Sequence, residues 1–169
     1  MTKTLTSSIT SERAALAILA IALAGILSAL AFQHLGGYVP CALCYMQRYA
    51  YYAGIPLAGL SFLLARSGRL GSAAILLALC GVGFLANAGL GIYHSGVEWK
   101  WWPGPEVCGG GDLSAINGNL LDALKNAKPV SCNDAPWRLL GLSFAGWNVV
   151  ISAGLAVLAV LGLRNSRYA

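Results

Sequence analysis

Residues 70–93 read LGSAAILLALCGVGFLANAGLGIY, a stretch without a single charge. A helix needs about 20 apolar residues to cross a hydrocarbon core of ~30 Å, so this stretch by itself asks for a membrane. Outward from it lie three more uncharged runs, Ala14 to Ala31, Tyr49 to Ala65 and Leu139 to Leu163. The second is the shortest, and Tyr45, Met46 and a snorkelling Arg48 complete it. Alternating β patterns are absent, and only helices or closed barrels satisfy every backbone polar group in lipid. The expected fold is all-α: a four-helix transmembrane bundle with spans 14–32, 45–65, 70–93 and 139–163. The chain 1–169 then forms one integral membrane domain with an outer loop 94–138. The first run follows Lys3 and Arg13, and Ala29-Leu30-Ala31 imitates a cleavage site. Its 18 residues nevertheless exceed the roughly 7–15 of a signal-peptide core, so it reads as a retained span.

Composition points the same way: 57% of the 169 residues are apolar and 10% charged, against about a quarter charged in soluble domains. The net charge of +5 is explained by topology. Lys3, Arg13, Arg66, Arg69, Arg164 and Arg167 fall in the termini and the turn between spans two and three, opposed by Glu12 alone. Arg48, Lys100, Lys125, Lys128 and Arg138 are balanced by Glu98, Glu106, Asp112, Asp122 and Asp134 on the other side. Because the whole excess lies on one side, the positive-inside rule makes both termini cytoplasmic and turns 33–48 and 94–138 outward. A nucleic-acid partner loses its support.

Unusual sequence collects in the outer loop. Trp99, Trp101 and Trp102 beside Pro103 and Pro105 suit an extended segment anchored at lipid headgroups. After Gly109-Gly110-Gly111, the residues Leu113, Ile116, Leu120, Leu121 and Leu124 recur at helical spacing, as in a short amphipathic helix on the membrane surface.

Four of the five cysteines, Cys41, Cys44, Cys108 and Cys132, fall in outward-facing segments, where thiols meet an oxidising compartment. Cys80 lies within span three and reads as a small packing residue. Cys41-Ala42-Leu43-Cys44 opens span two, and at i and i+3 on a helix both sulfurs share one face. Cys44 sits at a helix start with Arg48 one turn on, and both features favour a thiolate, the nucleophile of disulfide exchange. Pro40 fits ahead of that start. Cys108 and Cys132, with 23 residues between them, form a second candidate pair. Redox catalysis, two static disulfides bracing a membrane scaffold, and a four-cysteine zinc site all remain open at this level. Zinc is the poorest fit, since only one pair has knuckle spacing. Gln33, His34 and Asn148 read as hydrogen-bonding groups between helices.

Phe32-Gln33-His34, then Pro40-Cys41-x-x-Cys44 with Arg48, resembles the DsbB family of bacterial disulfide bond formation proteins. Tyr93-His94, Cys108, and Cys132 followed by Trp137 and Leu140-Gly141-Leu142 extend the resemblance over roughly residues 14–163. It implies a thiol:quinone oxidoreductase of the bacterial inner membrane. Such an enzyme reoxidises a DsbA-like periplasmic thioredoxin-fold protein and passes the electrons to ubiquinone or menaquinone. It further implies that Cys108 meets the partner with Cys132 as its disulfide mate, that Cys41 and Cys44 form the membrane-proximal pair with Cys44 facing the quinone, and that Arg48 and His94 belong to the quinone site. Gln47 departs from members that carry an acidic residue there, and the sequence between Cys108 and Cys132 has no counterpart in the resemblance.

Overall fold

The computed structural model describes residues 10–105 and 132–166. Four helices account for most of them: α1 Ser11–His34, α2 Ala42–Arg66, α3 Leu70–Glu98 and α4 Phe144–Ser166. A two-strand hairpin, β1 Arg138–Leu139 and β2 Leu142–Ser143, precedes α4. By length and composition α1, α3 and α4 can each cross a membrane. The protein is thus a helical membrane protein. Although α2 has 25 residues, it is absent from those candidates, because its first three turns carry Gln47, Arg48 and four tyrosines.

Local chemistry sets the helix ends. The Thr10 hydroxyl accepts from the Arg13 N–H at 3.3 Å to cap α1. Ser67 and Gly68, the latter at φ +77°, turn the chain from α2 into α3, a conformation glycine adopts without steric cost. At the far end of α3, Lys100 takes φ 60° and the Trp101 N–H reaches back to the Gly96 carbonyl at 2.9 Å, closing the helix.

The helices pack in a ring in which α1 touches α2 and α4, and α3 touches the same two. Its core is built from Ile18, Ala22, Ile26, Tyr51, Ala58, Leu77, Phe84, Leu155 and Ala159. Small residues let backbones approach: a Cβ on Gly54 would lie 2.6 Å from the Phe84 ring, and one on Gly162 would lie 2.6 Å from Ala14 Cβ. Midway along the bundle the Tyr51 hydroxyl donates to Asn148 Oδ1 at 2.8 Å, and Asn87 Nδ2 donates to Ser152 Oγ at 2.9 Å. Three helices are thereby joined by polar groups that lipid would leave unpaired.

Two boundaries differ most from the sequence expectation. Span three does not stop at Tyr93; α3 continues to Glu98, since the first proline after it is Pro103. Span four does not start at Leu139. Leu140 and Gly141, at φ 52° and 83°, form a two-residue hairpin turn, so helix begins only at Phe144. The hairpin also adds a pair of strands to a fold expected to be wholly helical. The amphipathic helix expected after Gly111 lies outside the described residues.

Candidate functional site

Cys41 is the N-cap of α2, and its sulfur accepts from the Cys44 N–H at 3.4 Å. The two sulfurs are 3.1 Å apart, both as free thiols. From α3, His94 brings Nε2 to 3.6 Å from Cys41 Sγ. Gln47 Nε2 lies 2.9 Å from His94 Nδ1, so with the amide as donor the neutral ring carries its proton on Nε2, facing the sulfur. Cys41, Cys44 and His94 have their reactive atoms within 4.8 Å of one another and act as one unit.

This arrangement holds Cys41 as the thiolate. The Cys44 thiol donating to its sulfur, then the His94 ring N–H, then the helix N–H, bring its pKa from 9.0 down to about 4, against burial, which raises it. Sequence reasoning put the thiolate on Cys44, with Arg48 as its counter-charge. The structure instead gives the helix start to Cys41. Arg48 donates to Gln33 Oε1 and, at 3.5 Å, to the Ala29 carbonyl, and its guanidinium covers the Tyr45 ring at 5.3 Å. Arg48 is thus braced against α1 rather than spent on the sulfur.

The thiols line a cavity of about 810 Å³ running between α1, α2 and α4. Ile21, Phe32, Trp137, Phe144 and Ile151 give it apolar walls, while Cys44, Arg48 and His94 supply a few polar groups. Aromatic packing builds the wall near the hairpin: Phe32 meets Phe144 edge-on at 5.0 Å, and Trp137 stacks on Phe144 at 4.8 Å.

Of the other expected site residues, Cys132 is disulfide-bonded and 1% exposed, and it packs with Cys41, Leu43 and Val97 in one cluster. The loop thus brings one cysteine of the second pair against the first pair. Cys108 lies outside the described residues. Trp102 does not extend away but folds back on α3, donating to the Tyr93 carbonyl at 2.8 Å over the space left by Gly96.

Glu98 went unrecognised in the sequence. Counted there as a loop anion, it is a buried carboxylate, with Oε1 3.8 Å from His94 Nε2 and Oε2 without a hydrogen-bond partner. The i,i+4 spacing from His94 is the signal, visible only once α3 is continued beyond Tyr93.

Fold and site together define a helical membrane protein built around a vicinal dithiol beside an apolar cavity. The family model described as disulfide bond formation protein DsbB matches residues 11–162, and the chain belongs to that family. Among its relatives are three proteins named disulfide bond formation protein B. The one from Aromatoleum aromaticum is 34% identical over 80% of this chain and 81% of its own. The one from Dechloromonas aromatica is 35% identical over 78% and 79%, and that from Verminephrobacter eiseniae 32% identical over 92% and 90%. No solved structure matches the chain.

Proposed function

We propose that this protein is a thiol:quinone oxidoreductase of the bacterial inner membrane that reoxidises a DsbA-like periplasmic dithiol protein. The observation that carries the reading is the Cys41–Cys44 pair, 3.1 Å apart, lining an apolar cavity of about 810 Å³ with Arg48 and His94 beside it. In the membrane all four helices span, α2 included, with both termini cytoplasmic and the cysteine pairs facing the periplasm. Trp99, Trp101 and Trp102 sit at the headgroups.

Electrons travel by thiol–disulfide exchange. A partner thiolate attacks Cys108 of a Cys108–Cys132 disulfide, and the dithiol left behind is reoxidised by the Cys41–Cys44 disulfide. The packing of Cys132 against Cys41 supports that second exchange. A partner that is itself a strong oxidant is regenerated only by an acceptor that pulls harder, which a bound quinone supplies by taking two electrons and two protons. The cavity suits such a ring: its walls are apolar, and Arg48 keeps N–H donors beyond those used on Gln33 and Ala29. Arg48 orients a quinone oxygen and stabilises charge developing on it, and His94 holds the thiolate that Cys41 becomes.

The test mixes purified protein, a reduced thioredoxin-fold partner and a soluble quinone, and follows quinone absorbance. Consumption of one quinone per partner disulfide formed is expected. Partner left reduced and quinone untouched would mean a scaffold braced by disulfides.

A further inference from the structure

Glu98 is a buried carboxylate at the outer end of α3, where solvent would ordinarily reach it. It ends α3 with 5% of its side chain exposed, one oxygen 3.8 Å from His94 Nε2 and the other unpaired. Lipid anchoring does not explain it, because an anchoring side chain would reach outward. His94 Nε2 stands between two acceptors, Cys41 Sγ at 3.6 Å and Glu98 Oε1 at 3.8 Å. Gln47 on Nδ1 keeps the ring turned that way. The other groups facing Glu98 are Ser143 and Arg138 of the hairpin, with Cys41 across the site.

We propose that Glu98 stores the thiol proton of Cys41, passed across the cavity that both line, while the His94 Nε2–H held between them bonds whichever of the two carries the charge. This rests on the reading above for the oxidant and deepens it by naming where a proton waits. When a dithiol reduces the Cys41–Cys44 disulfide, the S–S bond breaks, two electrons enter, and two protons come with them. One proton stays on Cys44 Sγ. The other would sit on Cys41, but moving it to the carboxylate turns a thiol and a carboxylate into a thiolate and a carboxylic acid. The net charge of the buried site is unchanged, so no uncompensated charge is created where the dielectric is low. On reoxidation the S–S bond re-forms, two electrons leave for the quinone, and the protons of Cys44 and Glu98 leave for its two oxygens. Glu98 ends as the carboxylate it began as.

Infrared difference spectra between the oxidised and dithiol-reduced protein, freed of quinone, read the proton directly. Reduction of the wild type should bring up the carbonyl stretch of a protonated carboxylic acid. Glu98→Gln should lack that band, and Glu98→Asp should retain it. Single-turnover quinone reduction should fall at least about tenfold in Glu98→Gln and less in Glu98→Asp, the usual scale for a lost proton-transfer group being 10²–10⁴. Partner exchange through the loop disulfide should stay within about twofold in both, which also shows that both fold. A wild type without the band, a band that survives Glu98→Gln, or equal losses in exchange and quinone reduction would each overturn the proposal. A wild type that shows the band yet reduces no quinone would leave the proton store standing and remove the proposed oxidase function.

Discussion

Cys41 owes its ionisation to groups that arrive from α2 and α3 together: the Cys44 thiol and N–H, and the His94 ring. Its pKa of about 4 lies below the ordinary 9.0. For an acid held low in the folded state, the stabilisation of the reduced protein is complete above the unfolded value. It declines as pH falls from about 9 and is gone below about 4. The thiolate absorbance of the reduced protein should therefore persist at pH 6 and vanish only near pH 4. His94→Ala should move that titration up by about 1 unit, the scale of one lost partner. A midpoint near 9, the ordinary thiol value, would show that Cys41 is not held in this way. Arg48 acts on a different step. Arg48→Ala should lower kcat/KM for quinone about 100-fold, or ~2.7 kcal/mol. Arg48→Lys should lose less, since it keeps the charge but not the planar fork. The single-turnover rate of partner oxidation by the pre-oxidised protein should be spared in both, and equal losses in both measurements would reduce Arg48 to an anchor.

Among the elements, α2 is the one whose sequence serves two masters. Its first turns are polar because they carry the site, and its middle is close-packed because it must hold that site against α3. Gly54 marks the contact, where an added Cβ would meet the buried Phe84 ring at 2.6 Å. Gly54→Ala should cost about 1–3 kcal/mol, seen as earlier thermal unfolding in detergent. The further change Phe84→Leu should recover part of the loss, as expected for neighbours that compete for one space. Cys80, buried nearby and 3.7 Å from the Gly54 carbonyl, has no place in the thiol pathway. Cys80→Ala should leave turnover unchanged.

At the scale of the whole molecule, the charge asymmetry and the thiol pathway must agree about which side is which. A cysteine placed at Ser67 should resist a membrane-impermeant thiol reagent in intact cells, whereas Cys108 or Cys132, once reduced, should react with it. Labelling at position 67 from outside would reverse the topology. In Cys132→Ala, exchange with the partner should stop at a mixed disulfide on Cys108, visible on a non-reducing gel, because the resolving thiol is gone. Equal trapping without Cys108 would move the partner's point of attack elsewhere.

Helical character, the positions of the long apolar elements and the family were legible in the sequence, because lipid imposes a one-dimensional rule: some twenty uncharged residues per crossing. The Cys41-x-x-Cys44 spacing was equally local, since i and i+3 share a helix face whatever the surroundings. Helix ends were less legible. Leu139 to Ser143 is as apolar as helix, and only the left-handed backbone at Leu140 and Gly141 folds it into a hairpin. Which sulfur carries the charge, what Gln47 does and why Glu98 is buried lie beyond any pattern in the chain. Each depends on α3 packing beside the start of α2, which sets His94 between Cys41 and Glu98, with Gln47 on its other nitrogen. Sequence determined which residues could do the chemistry, because composition and spacing are properties of a line. Tertiary structure decided their partners, because hydrogen bonds and charges act across distances of a few ångströms that residues 47 positions apart reach only by folding.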